Sequence, residues 1–417
     1  MNVMTTLAAT ERDALSLLSA QAVRDRARQM LEIGLRDGLK HFRIDLDRLD
    51  VTADAVLATI RKNYPTLDIP FHARWRHFVI DGVDRWAAIA DRVPWPDRVA
   101  RARAEFDLAI VSVLLDAGAG ATWRYRDDTS GKAIGRSEGL AIASLDMFAS
   151  GAFSSDARDP HRVDADKLAE LSVADLERGF QVSAENPLVG LEGRVDLLRR
   201  LGRLVVEQKN VFATRDTPRP GGLFDHLAAR AESNAIVAPK ILREVLLRLG
   251  PIWPSRLSLA GISLGDCWKH PAIKTGDATS GLVPLHKLSQ WLAYSLIEPL
   301  QRAGAEVTDI NGLTGLAEYR NGGLFVDLGV LTLRDPADAD RFHEVDSTLV
   351  VEWRALTVAL VDQLADMIRA KLNRGAVSLP LASLLEGGTW AAGRAAAFAR
   401  RADGSPPIKV ISDGTVF

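Results

Sequence analysis

The amino-acid sequence predicts a mainly α protein with a few short strands. Apolar residues recur at helical spacing through most of the chain, and few stretches alternate with the period of two that a half-buried strand requires. In Leu349 to Ile368, the residues Leu349, Trp353, Leu356, Leu360, Leu364 and Met367 form one stripe at ~100° per residue. In Leu285 to Leu300 the stripe runs Leu285, Leu288, Trp291, Leu292, Ser295 and Pro299. Arg124 to Arg126, Phe325 to Leu333 and Ile408 to Ser412 are the only modest strand candidates.

The elements follow in order. Residues 5 to 60 read as helices, with Leu15, Leu18, Val23, Ala27, Met30, Leu31 and Leu35 at helical spacing and Gly38 as a stop. Residues 64 to 82, YPTLDIPFHARWRHFVIDG, break the pattern with two prolines and a dense group of His72, Arg74, Trp75, Arg76 and His77. Helix returns over 84 to 115, interrupted by Pro94 and Pro96. The small residues from Asp116 to Trp123 allow close backbone approach. Gly118 and Gly120 are no dinucleotide fingerprint, and Gly131-Lys132 is no phosphate loop. Helix resumes over 137 to 150. Ser172 ahead of Ala174-Asp175-Leu176 reads as a helix start with acid in its first turn. Leu188 to Leu204 and Ile241 to Leu249 are amphipathic, and Gly250-Pro251 ends the second. Residues 252 to 284 read as a long ordered loop, and 376 to 417 are Ala/Gly-rich. With no long Ser/Pro/Gly linker and no repeat, one large unit is expected: an N-terminal helical part, 1–105; a core, 106–375; and a segment folding back on it, 376–417.

Composition narrows the function. The chain has 417 residues, 47% apolar, with 52 Lys plus Arg against 54 Asp plus Glu, a net charge of −2. That balance offers no footprint for nucleic acid or a membrane surface. Cys267 is the only cysteine, so no intrachain disulfide forms, and a reducing compartment is expected. The eight histidines show no metal-ligand spacing, and neither metal nor cofactor is expected. The N-terminus lacks a signal-peptide order, and no uncharged apolar run approaches the ~18 residues of a membrane span. A cytoplasmic location is expected.

Chemistry concentrates in Leu313 to Leu331, LTGLAEYRNGGLFVDLGVL. Glu318, Tyr319 and Arg320 put an acid, a phenol and a guanidinium side by side, and Asn321, Gly322 and Gly323 follow. Two readings stand: a site at a loop junction, or a helix end closed by Asn-Gly-Gly with Glu318 and Arg320 solvated. Glu352 and Arg354 fall on opposite edges of their helix stripe, and Lys287, Tyr294 and Glu298 share one edge of theirs. Each either borders a cavity or snorkels to solvent.

The order Leu313-Thr314-Gly315-Leu316-Ala317-Glu318-Tyr319-Arg320, followed by Leu328-Gly329-Val330-Leu331, resembles a signature of the queuosine salvage N-glycosidase family. The likeness continues through Asp116 seven residues before Trp123, through Pro187-Leu188 with Glu192 and Arg194, through Lys287 with Gln290, and through Glu352 with Arg354. It covers about residues 110 to 365. It implies a helical DNA-glycosylase-like fold and cleavage of an N-glycosidic bond. Glu318 stands where that family has Asp. Gly118, Ala119 and Ala121 replace its aromatic shelf, which points away from queuine as substrate. A second resemblance covers nearly the whole chain. Pro70-Phe71-His72, Arg74-Trp75-Arg76-His77-Phe78, Leu385-Glu386-Gly387-Gly388-Thr389-Trp390 and Ser412-Asp413-Gly414-Thr415-Val416-Phe417 are similar to the uracil-catabolism protein four family. That family accompanies enzymes of a pyrimidine degradation route ending in urea.

Together the two imply hydrolysis of a small phosphorylated sugar–urea such as phosphoribosylurea, without nucleic acid, membrane, metal or cofactor. Glu318 and Asp116 are the expected catalytic acids, sharing one pocket. Tyr319, Arg320, Lys287, Gln290, Arg74, Arg76, His77, Trp123, Glu352, Arg354 and Asp413 are the expected binding residues. Arg74, Arg76, His77 and Lys287 are the candidates for the phosphate, although an Arg–aromatic structural cluster also fits the first three. The last six residues are expected to dock, either lining or closing the site or packing only as an edge strand. Two other functions fit the same sequence: a non-catalytic scaffold associating with the other uracil degradation enzymes, and an amidohydrolase acting on an acylated urea.

Overall fold

Helix Thr348–Leu372 shows how this sequence folds. Its apolar stripe widens in the structure, a computed structural model, until every residue from Leu349 through Val361 is buried. A helix enclosed on all sides must satisfy its polar side chains internally. Glu352 and Arg354 are therefore not edge residues reaching solvent, as one reading of the sequence allowed: they are 0% and 2% exposed. Helices Ala20–Leu35, Arg48–Asn63 and Tyr319–Asp327 pack around this rod, and Trp390–Arg400 packs on Tyr319–Asp327.

The structure describes residues 3–213, 217–253 and 257–411. The chain divides into two compact units, each assembled from separate segments. Of the described residues, one unit comprises 3–72, 257–290 and 309–411; the other comprises 73–213, 217–253 and 291–308. Both are mainly α, as expected. Among the described residues the strands form seven two-stranded ladders and no larger sheet.

In the first unit, Phe42–Ile44 pairs antiparallel with Leu331–Leu333, in register Arg43 to Thr332. Phe342–Glu344 pairs parallel with Lys409–Ile411. The stretch expected to be a loop over 252 to 284 holds two hairpins instead, Ser258–Leu259 with Ile262–Ser263 and Cys267–Lys269 with Leu282–Pro284. Strands of two or three residues are too short for alternation to register in a sequence.

The expected Asn-Gly-Gly stop is also corrected. Asn321, Gly322 and Gly323 lie inside helix Tyr319–Asp327, and the strand expected from Phe325 begins only at Leu331. Packing explains glycine here. A Cβ on Gly322 would sit 2.7 Å from Trp353 Nε1 and 2.8 Å from Thr357 Oγ1. A Cβ on Gly393, in helix Trp390–Arg400, would sit 2.1 Å from the Arg320 carbonyl oxygen. The glycines lower helix propensity by about 1 kcal/mol each, and in return the helices touch backbone to side chain.

In the second unit the rod is helix Arg98–Leu114, buried without interruption from Ala104 to Leu114. Asp97 caps it by accepting the Ala100 N–H at 2.7 Å, so Pro94 and Pro96 separate it from helix Arg85–Ala90 as expected. Ser172 and Asp175 form a reciprocal capping box at the start of Val173–Gly179. Gly250 and Pro251 end Ala238–Leu249. Buried Asp107 accepts N–H groups from Val163 at 3.0 Å and Gly221 at 2.5 Å and pairs with Arg219, fastening two loops to the rod.

One buried ion pair fixes the first unit's interior. Arg354 donates to both Asp266 oxygens at 2.8 Å, and its Nε reaches the Ala317 carbonyl at 3.2 Å. Asp266 also accepts the Lys287 N–H at 2.9 Å and the Trp268 indole N–H at 2.7 Å. Burial works against its ionisation, but the Arg354 charge and these donors outweigh it and hold the carboxyl well below its ordinary value of 3.8. A depressed carboxyl contributes stability above its unfolded value and loses it as pH falls toward the folded one. Asp266→Asn should therefore cost about 3–5 kcal/mol at neutral pH by stranding the Arg354 charge. The deficit, read from urea unfolding, should shrink as the pH is taken below 3.8. A second test concerns the helix contact: Gly322→Ala should lose about 1–2 kcal/mol despite its better propensity, because overpacking outweighs the gain.

Candidate active site

Glu318 is the N-cap of helix Tyr319–Asp327. Its Oε2 accepts the Arg320 N–H at 2.7 Å and its Oε1 the Asn321 N–H at 2.5 Å. A carboxylate suits this position, because the first amides of a helix have no internal acceptor. The side chain is nevertheless buried, and burial raises its pKa above the ordinary value against the opposing pull of the two amides, Lys287 and His72. The reading of a helix closed by Asn-Gly-Gly with a solvated Glu318 is corrected: Glu318 is buried and caps the start of a helix.

Lys287 opens helix Lys287–Arg302 and is half-buried. A cation at a helix N-terminus faces the unfavourable end of the dipole, at a cost of about 0.3–1 kcal/mol. Helix stability therefore does not explain Lys287, whose positive charge acts on Glu318 against the effect of burial. Gln290, one turn on, grips Thr314 at both ends of its amide: Nε2 donates to Thr314 Oγ1 at 2.5 Å, and Oε1 accepts the Thr314 N–H at 3.2 Å. Thr314 lies in the buried segment 313–318 that ends at Glu318.

His72 and Glu386 join them. His72 Nδ1 lies 2.7 Å from Glu386 Oε2, and its backbone N–H donates to Ala382 O at 2.9 Å. The side chains are 10% and 18% exposed. The Trp390 ring lies 6.5 Å away, centroid to centroid. Glu386 sits in a π-helical turn, Leu385–Thr389, between helical segments Leu381–Leu384 and Trp390–Arg400. The glycines after it explain how that turn packs: a Cβ on Gly387 would be 2.8 Å from Ile69, and one on Gly388 2.7 Å from Val56. π-turns inside helices are rare and concentrate at functional sites. Sequence reasoning missed this pair as chemistry, although both residues lie in segments it had singled out. The signal available was an acid followed by two glycines within a helical pattern.

The other candidates in this unit make internal contacts. Tyr319 is half-buried, with the Arg320 guanidinium 4.9 Å from its ring centre. Arg320 Nη1 donates to the Gly404 carbonyl at 2.8 Å. Glu352 accepts the N–H groups of Lys40 at 3.2 Å and His41 at 3.0 Å and meets His270 Nε2 at 3.2 Å. Arg354 holds Ala317, the neighbour of Glu318.

The remaining candidates belong to the second unit. Arg74 is fully buried: its Nε donates to Ser112 Oγ at 2.7 Å and its Nη1 to Asp116 Oδ2 at 2.5 Å. Asp116 Oδ1 accepts Ser137 Oγ–H at 2.8 Å. Arg194, whose guanidinium burial pulls down to about 10, donates to the carbonyls of Leu115 and Ala117 and so holds the Asp116 turn. Arg76 forks onto Glu298 at 2.8 and 3.0 Å. His77 packs edge-on against Trp291 at 5.4 Å. Trp123 is fully buried and donates to Phe180 O at 2.9 Å. Pro299 has a consequence here: lacking an N–H, it frees the Ser295 carbonyl within helix Lys287–Arg302, and that carbonyl accepts the Trp75 indole N–H at 2.7 Å. Asp413 and the expected docking tail lie outside the described residues.

Comparison with known proteins adds the kinship. The chain is 39% identical over 411 residues to "Protein urg3" of Schizosaccharomyces pombe, covering 96% of this chain and 98% of the relative. It is 38% identical over 435 residues to "Uracil catabolism protein 4" of Lachancea kluyveri, with the same coverage. A family profile described as "Protein of unknown function (DUF1688)" matches residues 16–417, and the chain belongs to that family.

Proposed function

We propose that this protein acts in uracil catabolism by hydrolysing the N-glycosidic bond of a small ribosyl 5-phosphate derivative such as phosphoribosylurea. The name of the Lachancea kluyveri relative supports the pathway. The observation that carries the chemistry is Glu318: a buried carboxylate in no ion pair among the described residues, its pKa raised by burial.

When the bond from C1 to the urea nitrogen breaks, the electron pair leaves with nitrogen and the sugar becomes oxocarbenium-like. A carboxylate in a low-dielectric interior stabilises that charge far more than it would in water. Each Glu318 oxygen holds one backbone N–H and keeps lone-pair capacity for a ribose hydroxyl. Lys287 supplies the cation for the 5-phosphate, and half-buried Tyr319 and Trp390 offer surface for a small planar leaving group.

The test is purified protein with synthetic phosphoribosylurea, assayed for urea and ribose 5-phosphate. Glu318→Gln should lower kcat by about 10²–10³, the scale of a lost transition-state electrostatic contact. Its stability should change by about 1 kcal/mol or less, since one cap acceptor is lost while the burial cost of the charge disappears. Linkage gives a second readout. A carboxyl whose folded pKa is raised takes up a proton on folding, so its contribution declines as pH rises from the ordinary value to the raised one. Glu318→Gln should remove that decline from the stability–pH curve. Lys287→Ala should raise KM for the phosphorylated substrate about tenfold or more, the scale of one charge-assisted contact, with little effect on plain ribosylurea. Equal effects on both substrates would take Lys287 out of phosphate recognition. No urea from the wild-type protein would turn the reading toward a scaffold.

A further inference from the structure

The second unit holds a cavity that none of the residues discussed above for catalysis lines. It lies between two loops: the one after helix Arg85–Ala90, with Arg92, Pro94 and Trp95, and the one after helix Arg136–Ala149, with Pro160 and His161; Arg219 completes it. Its volume of about 660 Å³ falls in the range of small-molecule sites and is far more than a bare phosphate fills. The walls are held in place. The Trp95 indole N–H donates to the Ala90 carbonyl at 2.9 Å, and the His161 ring meets Trp95 edge-on at 6.2 Å between centroids. His161 also packs against Phe148 at 6.3 Å. Aromatic contacts hold the imidazole, while neither of its nitrogens makes a hydrogen bond among the described residues. The lining carries four arginines against one acid, Asp159. Two of the four are anchored at one edge only. Arg92 Nε donates to the Ala88 carbonyl at 2.8 Å, and Arg219 donates through Nε and Nη2 to Asp107, which is buried outside the lining. Both Nη groups of Arg92 and Nη1 of Arg219 have no hydrogen-bond partner among the described residues.

We propose that this cavity binds a planar organic phosphate of the nucleoside 5′-monophosphate class. The base lies against Trp95 and His161, and the phosphate takes the open nitrogens of Arg92 and Arg219. A guanidinium edge suits phosphate because two parallel N–H donors match two of its oxygens, and the Nη1–Nη2 edge of Arg92 is such a pair. Fixed rings and prolines suit a flat heterocycle, because walls that are already ordered lose little freedom when the ligand settles on them. A free phosphate would leave most of the volume to water, and an uncharged ring would leave the arginines with nothing to bind. No bond is made or broken here, and the site stands independently of the hydrolytic reading. A crevice that only separates two loops would show no preference among these molecules.

The test uses full-length protein and uridine 5′-monophosphate, read by titration calorimetry and by amide hydrogen exchange. The nucleotide should bind with a Kd on the order of 10⁻⁵ M, the scale of a ligand of this size at ordinary efficiency, and should slow exchange within 89–96 and 158–163. Uridine, ribose 5-phosphate and inorganic phosphate each lack part of the match and should bind about tenfold or more weakly, the scale of one lost charge-assisted or stacking contact. Arg92→Ala and His161→Ala should each weaken the nucleotide by about tenfold with the thermal melt unchanged. Arg219 is left intact, because buried Asp107 depends on it. Lys287→Ala, which alters the phosphate contact proposed for hydrolysis, should leave the protection of the two loops as it is. Exchange in the wild-type protein gives a result even where a variant fails to fold. Absence of protection in both loops at saturating nucleotide overturns the proposal, and so does unchanged affinity in Arg92→Ala and His161→Ala. Inorganic phosphate bound as tightly as the nucleotide would reduce the cavity to an anion patch and overturn the ligand class. Loss of the protection in Lys287→Ala would place the nucleotide elsewhere and overturn the site.

Discussion

The ion pair between Asp266 and Arg354 is the constraint on which the setting of Glu318 in the first unit depends. Taking both charges out of water costs several kcal/mol per ion before their attraction returns it, so such a pair is a poor source of net stability. Its worth lies in what it registers. Arg354 also donates to the carbonyl of Ala317, the residue before Glu318. Asp266 spends its remaining lone pairs on the Lys287 N–H and the Trp268 indole, and its backbone carbonyl accepts the N–H groups of Leu285 and His286. One charge pair thus sets the entry to the Glu318 helix against the start of the Lys287 helix. An apolar pair of the same volume would pack as well and would fix neither.

The same logic explains the glycines. Gly322 and Gly393 bring helices Tyr319–Asp327, Thr348–Leu372 and Trp390–Arg400 to distances that a single methyl group would forbid. Gly387 and Gly388 do the same for the π-turn carrying Glu386. Local propensity is given up at four points, and at each a neighbouring group occupies the space that a Cβ would take. Conflict between local preference and global packing is where functional sites are expected to lie.

The sequence made the helical architecture legible because period and caps are local. The stripe of Leu349 to Met367, the Ser172 cap with Asp175, and the Gly250-Pro251 stop all report on neighbours within one or two turns. It also made Glu318 conspicuous, though for a partly wrong reason. Asn321-Gly322-Gly323 has the composition of a turn, and only the presence of Trp353 and Thr357, some 30 residues away, turns it into helix. Asp266 was invisible among short hairpins read as a loop. His72 and Glu386 stand 314 residues apart in sequence, and nothing local to either announces the other.

The two units hold their acids in opposite electrostatic states, and this bears on which acid reacts. Asp116 is matched at close range by Arg74, a fully buried guanidinium, and by the Ser137 hydroxyl. A carboxylate neutralised in this way has little field left to offer a developing cation. Among the described residues Glu318 accepts hydrogen bonds from two backbone amides, partial charges at the start of a helix, while the Lys287 and His72 charges pull against the effect of burial. Its raised pKa is the thermodynamic statement that negative charge there is under-compensated. A positive charge forming at a sugar carbon nearby would supply the missing compensation, and it would do so only in the transition state. That difference between ground state and transition state is what catalysis requires. It makes Glu318 the acid to follow, and Asp116 the partner that keeps Arg74 charged and in place.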